Sequence, residues 1–191
     1  MERPTARKTN VKLLSMAAML FVGLTPALAE DYDLDPAHTS IVFKIKHLGI
    51  SSVYGRFNEV EGAISTGSSP SFQFTVKTDS VDTNNKKRDD HLRSPDFFNA
   101  KQFPVITFKS TEVHAHGDKL HVTGDLALHG VTKHIEVNLK KLGEAEMPKG
   151  THRVGFETTF TLKRTDFGMD KMIGPAGDEV TLLISFEGTR K

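Results

Sequence analysis

The chain has no cysteine, no tryptophan and only two tyrosines among its 191 residues. Without cysteine there is no disulfide staple, no thiol nucleophile and no thiolate metal ligand, so the core alone must hold the fold. A large excess of one charge is also missing, since 25 basic residues face 24 acidic ones. That balance excludes a general nucleic-acid binder, which would be markedly basic. A phosphate cradle is lacking too: Gly174-Pro175-Ala176-Gly177 reads as a turn without the strand-to-helix context such loops need.

Long apolar runs are scarce. Leu13 to Leu24 falls short of the about 20 residues a membrane-spanning helix requires. Arg3, Arg7, Lys8 and Lys12 precede it and Ala27-Leu28-Ala29 follows it. Basic start, short apolar core and small-residue cleavage site make 1–29 an expected signal peptide, removed on export to the periplasm. Residues 30–191 are then expected to form one slightly acidic domain.

What is present is period-2 alternation, the mark of half-buried strands. Ile41, Phe43, Ile45 and His47 share one face of a strand over Thr39 to His47. Val53 to Ser65 reads as a second strand or a bent pair, with Gly55 and Gly62 as bend or bulge sites. Phe72, Phe74 and Val76 align from Ser71 to Asp79. Further strands run from Val105 to Glu112, Lys119 to His129, Val131 to Leu142, His152 to Arg164 and Glu179 to Thr189. About eight strands with short turns predict an all-β, antiparallel, lipocalin-like barrel, because closure removes sticky edges. Two packed sheets are the alternative. Such a barrel is either filled by its own side chains or holds a ligand, and the remaining phenylalanines make its interior apolar.

The connection from Thr83 to Phe108 is the exception. It exceeds the about 12–15 residues usual for a structureless loop and carries too many aromatics for a disordered linker. It is expected to form a partly helical cap between strands 3 and 4, with Ser94-Pro95 as a helix start.

Four stretches resemble the YceI-like family of exported, lipocalin-like barrels. They are His38 to Phe43 with His47-Leu48-Gly49 and Gly55-Arg56-Phe57; Asn84-Asn85 through Asp96-Phe97-Phe98; Phe103 to Phe108 with Gly124-Asp125-Leu126 and His129 to Thr132; and Arg164 to Met169 with Asp178-Glu179-Val180. The resemblance implies an apolar channel for an isoprenoid lipid, either a polyprenyl phosphate or a prenylated quinone, and no catalytic activity. No cofactor other than the bound lipid is expected. Transient membrane contact and pairing of two barrels are left open.

The residues fit that picture, because a linear lipid needs an apolar tunnel with polar groups at one mouth. Ile41, Phe43, Ile45, Phe57, Phe72 and Phe74 are the expected channel residues of the first half. Phe97, Phe98, Phe108, Phe156, Phe160 and Phe186 continue it, with Phe103 closing the cap above. His47, Arg88, His91 and Arg93 are the expected headgroup residues, and Arg164 with Asp166 is a second polar cluster or a structural turn.

Three rival readings compete. His114, His116 and His121, or His129 and His134, would have to converge to bind a metal. Asp89, Asp90, His91 and Ser94 form the compact acid–base cluster a hydrolase would need, although no nucleophile motif accompanies it. A stress or interaction protein would instead fill its barrel with phenylalanine and take no lipid.

Overall fold

The computed structural model describes residues 30–190; the expected signal peptide lies outside them. Its elements are β1 (Glu30–His47), β2 (Ser51–Phe57), β3 (Val60–Thr66), β4 (Ser71–Lys77), β5 (Val81–Asp82), α1 (Lys86–Leu92), β6 (Val105–His116), β7 (Lys119–Leu128), β8 (Val131–Met147), β9 (Thr151–Lys163) and β10 (Ala176–Arg190). Every strand pair is antiparallel, and β1 joins β10 to close the sheet into a barrel rather than a sandwich.

Two barrel strands are broken in the middle. β1 pairs with β2 along one half, Ile41 opposite Phe57, and with β3 along the other, Asp33 opposite Ala63. β2 and β3 are therefore one bent strand interrupted at Asn58-Glu59. β4 likewise runs through a 3-10 turn, Thr78–Ser80, into β5, which pairs with β2. Counted this way the barrel has eight strands.

Three expectations need correction. β1 begins at Glu30 rather than Thr39. Its early half contains Asp35 and Pro36, which interrupt the alternation, yet Tyr32 and Leu34 are buried and pairing with β10 resumes after a register shift between Asp35 and Ser40, with a second shift between Ile45 and His47. Gly55 and Gly62 are not bulges: each sits in regular register, opposite Phe43 and Phe74. The cap helix is α1, upstream of Ser94-Pro95, which falls in the turn after it. Asn85 takes the cap position and accepts from the Arg88 amide at 3.0 Å, satisfying one of the helix's free N–H groups.

One end of the barrel is solid. Phe72, Phe156 and Phe186 lie with ring centroids 5.3–6.3 Å apart, packed among Tyr32, Leu34, Ile64, Val122 and Val154. The other end carries the cap. Leu92 and Phe98 pack onto Ile41, Phe43, Phe57 and Val76, while Phe103 reaches the β7–β8 turn and stacks edge-on against His129.

Candidate ligand-binding cavity

Between the solid end and the cap lies a cavity of about 620 Å³, within the range of about 300–1,000 Å³ typical of small-molecule sites. The filled-barrel expectation therefore describes only the lower half. Ile41, Phe43, Ile45, Phe57, Phe74, Phe108 and Phe160 wall it, Phe72 and Phe186 floor it, and Phe97 and Phe98 cover it. Phe156 does not reach the cavity: it sits behind the floor rings, stacked on Phe186 at 5.3 Å. Aliphatic side chains complete the wall, among them Leu126, Ile135, Val137, Leu162, Val180 and Leu182. Their period-2 alternation is legible in the sequence, but only the closed barrel shows that they reach the cavity.

Glycines keep this space open. A Cβ on Gly55 would stand 2.2 Å from the tip of the Phe43 ring, one on Gly62 2.7 Å from the Phe74 ring, and one on Gly124 2.6 Å from the Phe108 ring. All are inside van der Waals contact, so the rings fold flat across the neighbouring strand only because no side chain is there. Sequence patterning shows a glycine in a strand; only the barrel shows which ring covers it.

Polar side chains gather at the mouth: His47 and Lys46 from β1, and Asn85, Lys87, Arg88 and His91 from the cap, beside the apolar Met172 of the preceding loop and Ala176, the first residue of β10. Arg88 is anchored through Nε to the Thr83 hydroxyl and through one terminal nitrogen to the Thr83 carbonyl, both at 2.7 Å. Its other terminal nitrogen keeps its donors for an oxyanion or carbonyl. His91 rests edge-on against Phe97 and hydrogen-bonds Asp96 at 3.0 Å. Arg93 is absent from the mouth. Its guanidinium binds the Asp79 and Val81 carbonyls at 2.7 and 2.8 Å, tying the cap to β5.

Arg164 is the unusual member. It borders the cavity yet is only 3% exposed, with Phe97 at 5.9 Å from its guanidinium carbon. It donates to the backbone carbonyls of Met169, Gly177 and Ala176 at 2.7, 2.8 and 3.2 Å and forms no ion pair among the described residues. Burial pushes its pKa down, opposed by the charges of Asp178 and Asp170. Asp178 is engaged elsewhere, accepting from the Thr165 amide and hydroxyl, which hold its carboxyl below the usual range. Asp166 faces outward and stands 3.8 Å from Lys133, so Arg164 and Asp166 do not act as a pair.

The rival clusters fall short of a site: His114 and His121 stand opposite each other in the β6–β7 ladder, but among the described residues no third ligand joins them. His114 meets Glu112 at 2.9 Å and His121 meets Glu136 at 3.5 Å, while His134 meets Asp125 at 2.9 Å and His129 meets the Phe167 carbonyl at 3.0 Å. Asp35, His38 and Glu187 do converge, but Arg153 binds both carboxylates, at 2.6 and 2.8 Å. Asp89 is buried and accepts from the Thr83 amide at 2.8 Å, and Asp90 pairs with Lys86 at 2.8 Å. Asp89 ties α1 to Thr83, and Asp90 pairs only within the cap.

A model of the YceI-like domain matches residues 32–188. A UPF0312 protein of Pseudomonas aeruginosa is 44% identical over 190 residues, 96% of this chain and 99% of that protein. Burkholderia cenocepacia BcnA has the same fold, with a TM-score of 0.72 at 24% identity, covering 81% of this chain and 98% of BcnA. So does a polyisoprenoid binding domain from Saccharophagus degradans implicated in plant cell wall breakdown, with a TM-score of 0.64 at 17% identity, covering 84% and 98%.

Proposed function

The chain belongs to the YceI-like family, and from that premise we propose that it is an exported protein that binds an isoprenoid lipid, as carrier or store. The observation that carries this reading is an apolar cavity of about 620 Å³ whose lining includes the basic and imidazole side chains Lys46, His47, Lys87, Arg88 and His91 at the mouth. A linear lipid fits that gradient: chain against Phe43, Phe74 and Phe108, headgroup beside Arg88, His91 and His47. A structurally similar domain is described as polyisoprenoid binding. A phosphate or a quinone carbonyl would both accept from the Arg88 fork, so the headgroup is either a polyprenyl phosphate or a prenylated quinone. The reading is of binding without catalysis, since Asp89 and Asp90 are committed to contacts within the cap. The basic and apolar start of the sequence supports export to the periplasm.

Energetics favour carriage over trapping. Burying forty chain carbons at about 0.8 kcal/mol each nominally exceeds 30 kcal/mol, beyond the practical ceiling of about 18–21 kcal/mol. In a bilayer the chain is already dry, so the hydrophobic term largely cancels. Cavity shape and headgroup contacts are left to set selectivity.

Native mass spectrometry of the protein purified from its own host, followed by solvent extraction, tests this. A discrete adduct with the mass of a prenylated lipid is the expected result and identifies the headgroup. A bare mass, with no uptake of added prenyl phosphate or prenylquinone, overturns the proposal and directs attention to protein partners.

A further inference from the structure

We infer that the cavity mouth is also a docking surface for an anionic lipid bilayer, formed by the β1–β2 hairpin tip and the loop before β10. This rests on the lipid-carrier reading, for a carrier must meet the membrane that supplies its cargo.

Four apolar side chains project where a soluble barrel would place polar ones. Leu48 and Ile50 form the hairpin tip, and Met172 and Ile173 stand on the neighbouring loop; Ile50 is 85% exposed and the others about half. The two segments form one rim: the Leu48 amide donates to the Pro175 carbonyl at 2.9 Å, and His47 lies opposite Ala176 in the ladder. His47, Met172 and Ala176 also border the cavity, so the apolar rim runs directly into the apolar interior. Leu48 and Met172 have φ of 51° and 57°, a left-handed conformation that side-chain-bearing residues seldom adopt. The outward display is therefore held against a backbone cost.

Charge identifies the occupant. Lys46 and Lys171 flank the apolar segments in sequence and Lys87 borders the same mouth, all exposed, and none enters an ion pair among the described residues. Lys86 is paired with Asp90, which also meets Arg93; Asp170 is the acidic neighbour of Lys171. Apolar tips beside unpaired lysines suit the boundary between acyl chains and anionic headgroups. A second protein would need a broader face, since stable interfaces bury about 800 Å² per partner. A few projecting side chains supply little of that, but they are enough to wedge into headgroups. Docked in this way, the mouth would open onto the membrane, and a lipid would pass between bilayer and barrel without crossing water.

The test is flotation of the exported chain with vesicles of phosphatidylcholine containing about one-third phosphatidylglycerol, at low and high salt. The expected result is co-flotation that weakens in high salt and on neutral vesicles, and that falls by about tenfold or more in the double variant Ile50→Ser/Ile173→Ser. Lys171→Glu should also weaken it. Leu142→Ser, at an apolar site as exposed as Ile173 but outside the cavity lining, should leave it unchanged. Absence of flotation, or equal loss in the Leu142 control, overturns the inference. So does a wild-type dimer in sedimentation equilibrium that the double variant dissolves, which would make the rim an interface between copies. Neither Ile50 nor Ile173 borders the cavity, so prenyl lipid delivered from detergent micelles should still load the double variant. If wild type and variant both refuse micellar lipid, the carrier reading fails, whereas flotation still decides the rim.

Discussion

Arg164 brings a guanidinium into the cavity wall with three carbonyls as partners. An ion pair would have been the cheaper way to bury it, because burial without a counter-charge costs several kcal/mol. The carbonyls of Met169, Ala176 and Gly177 belong to two segments that border the mouth, so the residue clamps the 3-10 turn Arg164–Phe167 to the start of β10. Arg164→Met should leave those carbonyls unpaired and lower stability by about 2–4 kcal/mol in urea unfolding. Arg164→Lys should recover only part, since an ammonium cannot fan its donors across three acceptors. Equal stability of all three proteins would remove the clamp argument. Asp35 makes a second residue-scale case. Burial raises its carboxyl, but hydrogen bonds with His38, Arg153 and the Ala37 amide outweigh that and bring it down from 3.8 to about 2. A depressed carboxyl stabilises the fold above its unfolded value and loses that contribution as pH falls through the folded one. Wild type should thus lose on the order of 1 kcal/mol between about pH 4 and pH 2 through this group. Asp35→Asn should show a flatter acid limb in the same pH window, measured by thermal melts.

Among the elements, the cap and the glycine-bearing strands control the cavity together. Gly55 on β2 faces the Phe43 ring, and a Cβ there would also come within 2.7 Å of the Thr83 methyl of the cap. Thr83 holds both Asp89 and Arg88, so one methyl group at position 55 disturbs wall and cap at once. Gly55→Ala should push the Phe43 ring into the cavity at about 1–3 kcal/mol in stability, with lipid uptake reduced severalfold. Unchanged uptake would mean the ring has another refuge. The cap offers a complementary experiment. Asp89→Asn keeps the size but weakens the acceptor of the Thr83 contacts, and it should speed lipid release from preloaded protein while leaving the barrel's melting temperature within a few degrees.

For the molecule as a whole, the solid and hollow halves divide the labour. The plug of Phe72, Phe156 and Phe186 supplies close packing across the barrel axis, whereas the other half packs around its wall and leaves the cavity at its centre. Filling the hollow should therefore cost little stability and remove function. Val137→Phe, on a wall position that borders the cavity, should lower prenyl-lipid binding by about tenfold or more with stability unchanged or slightly raised. Strong destabilisation instead would show that the space is already committed to packing.

The strand pattern, the apolar interior and the existence of a cap were legible in the sequence, because period-2 alternation and a long aromatic connection are local properties. Ile41, Phe43 and Ile45 on one face needed no partner to be recognised. Their meaning did. Phe156 and Phe160 look alike along β9, yet one is plug and the other wall, a difference set by height in the barrel. Arg88 and Arg93 are five residues apart in the cap, and only the fold turns one toward the mouth and spends the other on the carbonyls of Asp79 and Val81. Gly55 and Gly62 resemble bends until their cross-strand partners are known, and Leu48 and Met172 become one rim only when the β1–β2 tip meets the loop before β10. Alternation is encoded residue by residue. Depth, pairing and convergence arise only when the sheet closes, since they depend on which strands become neighbours.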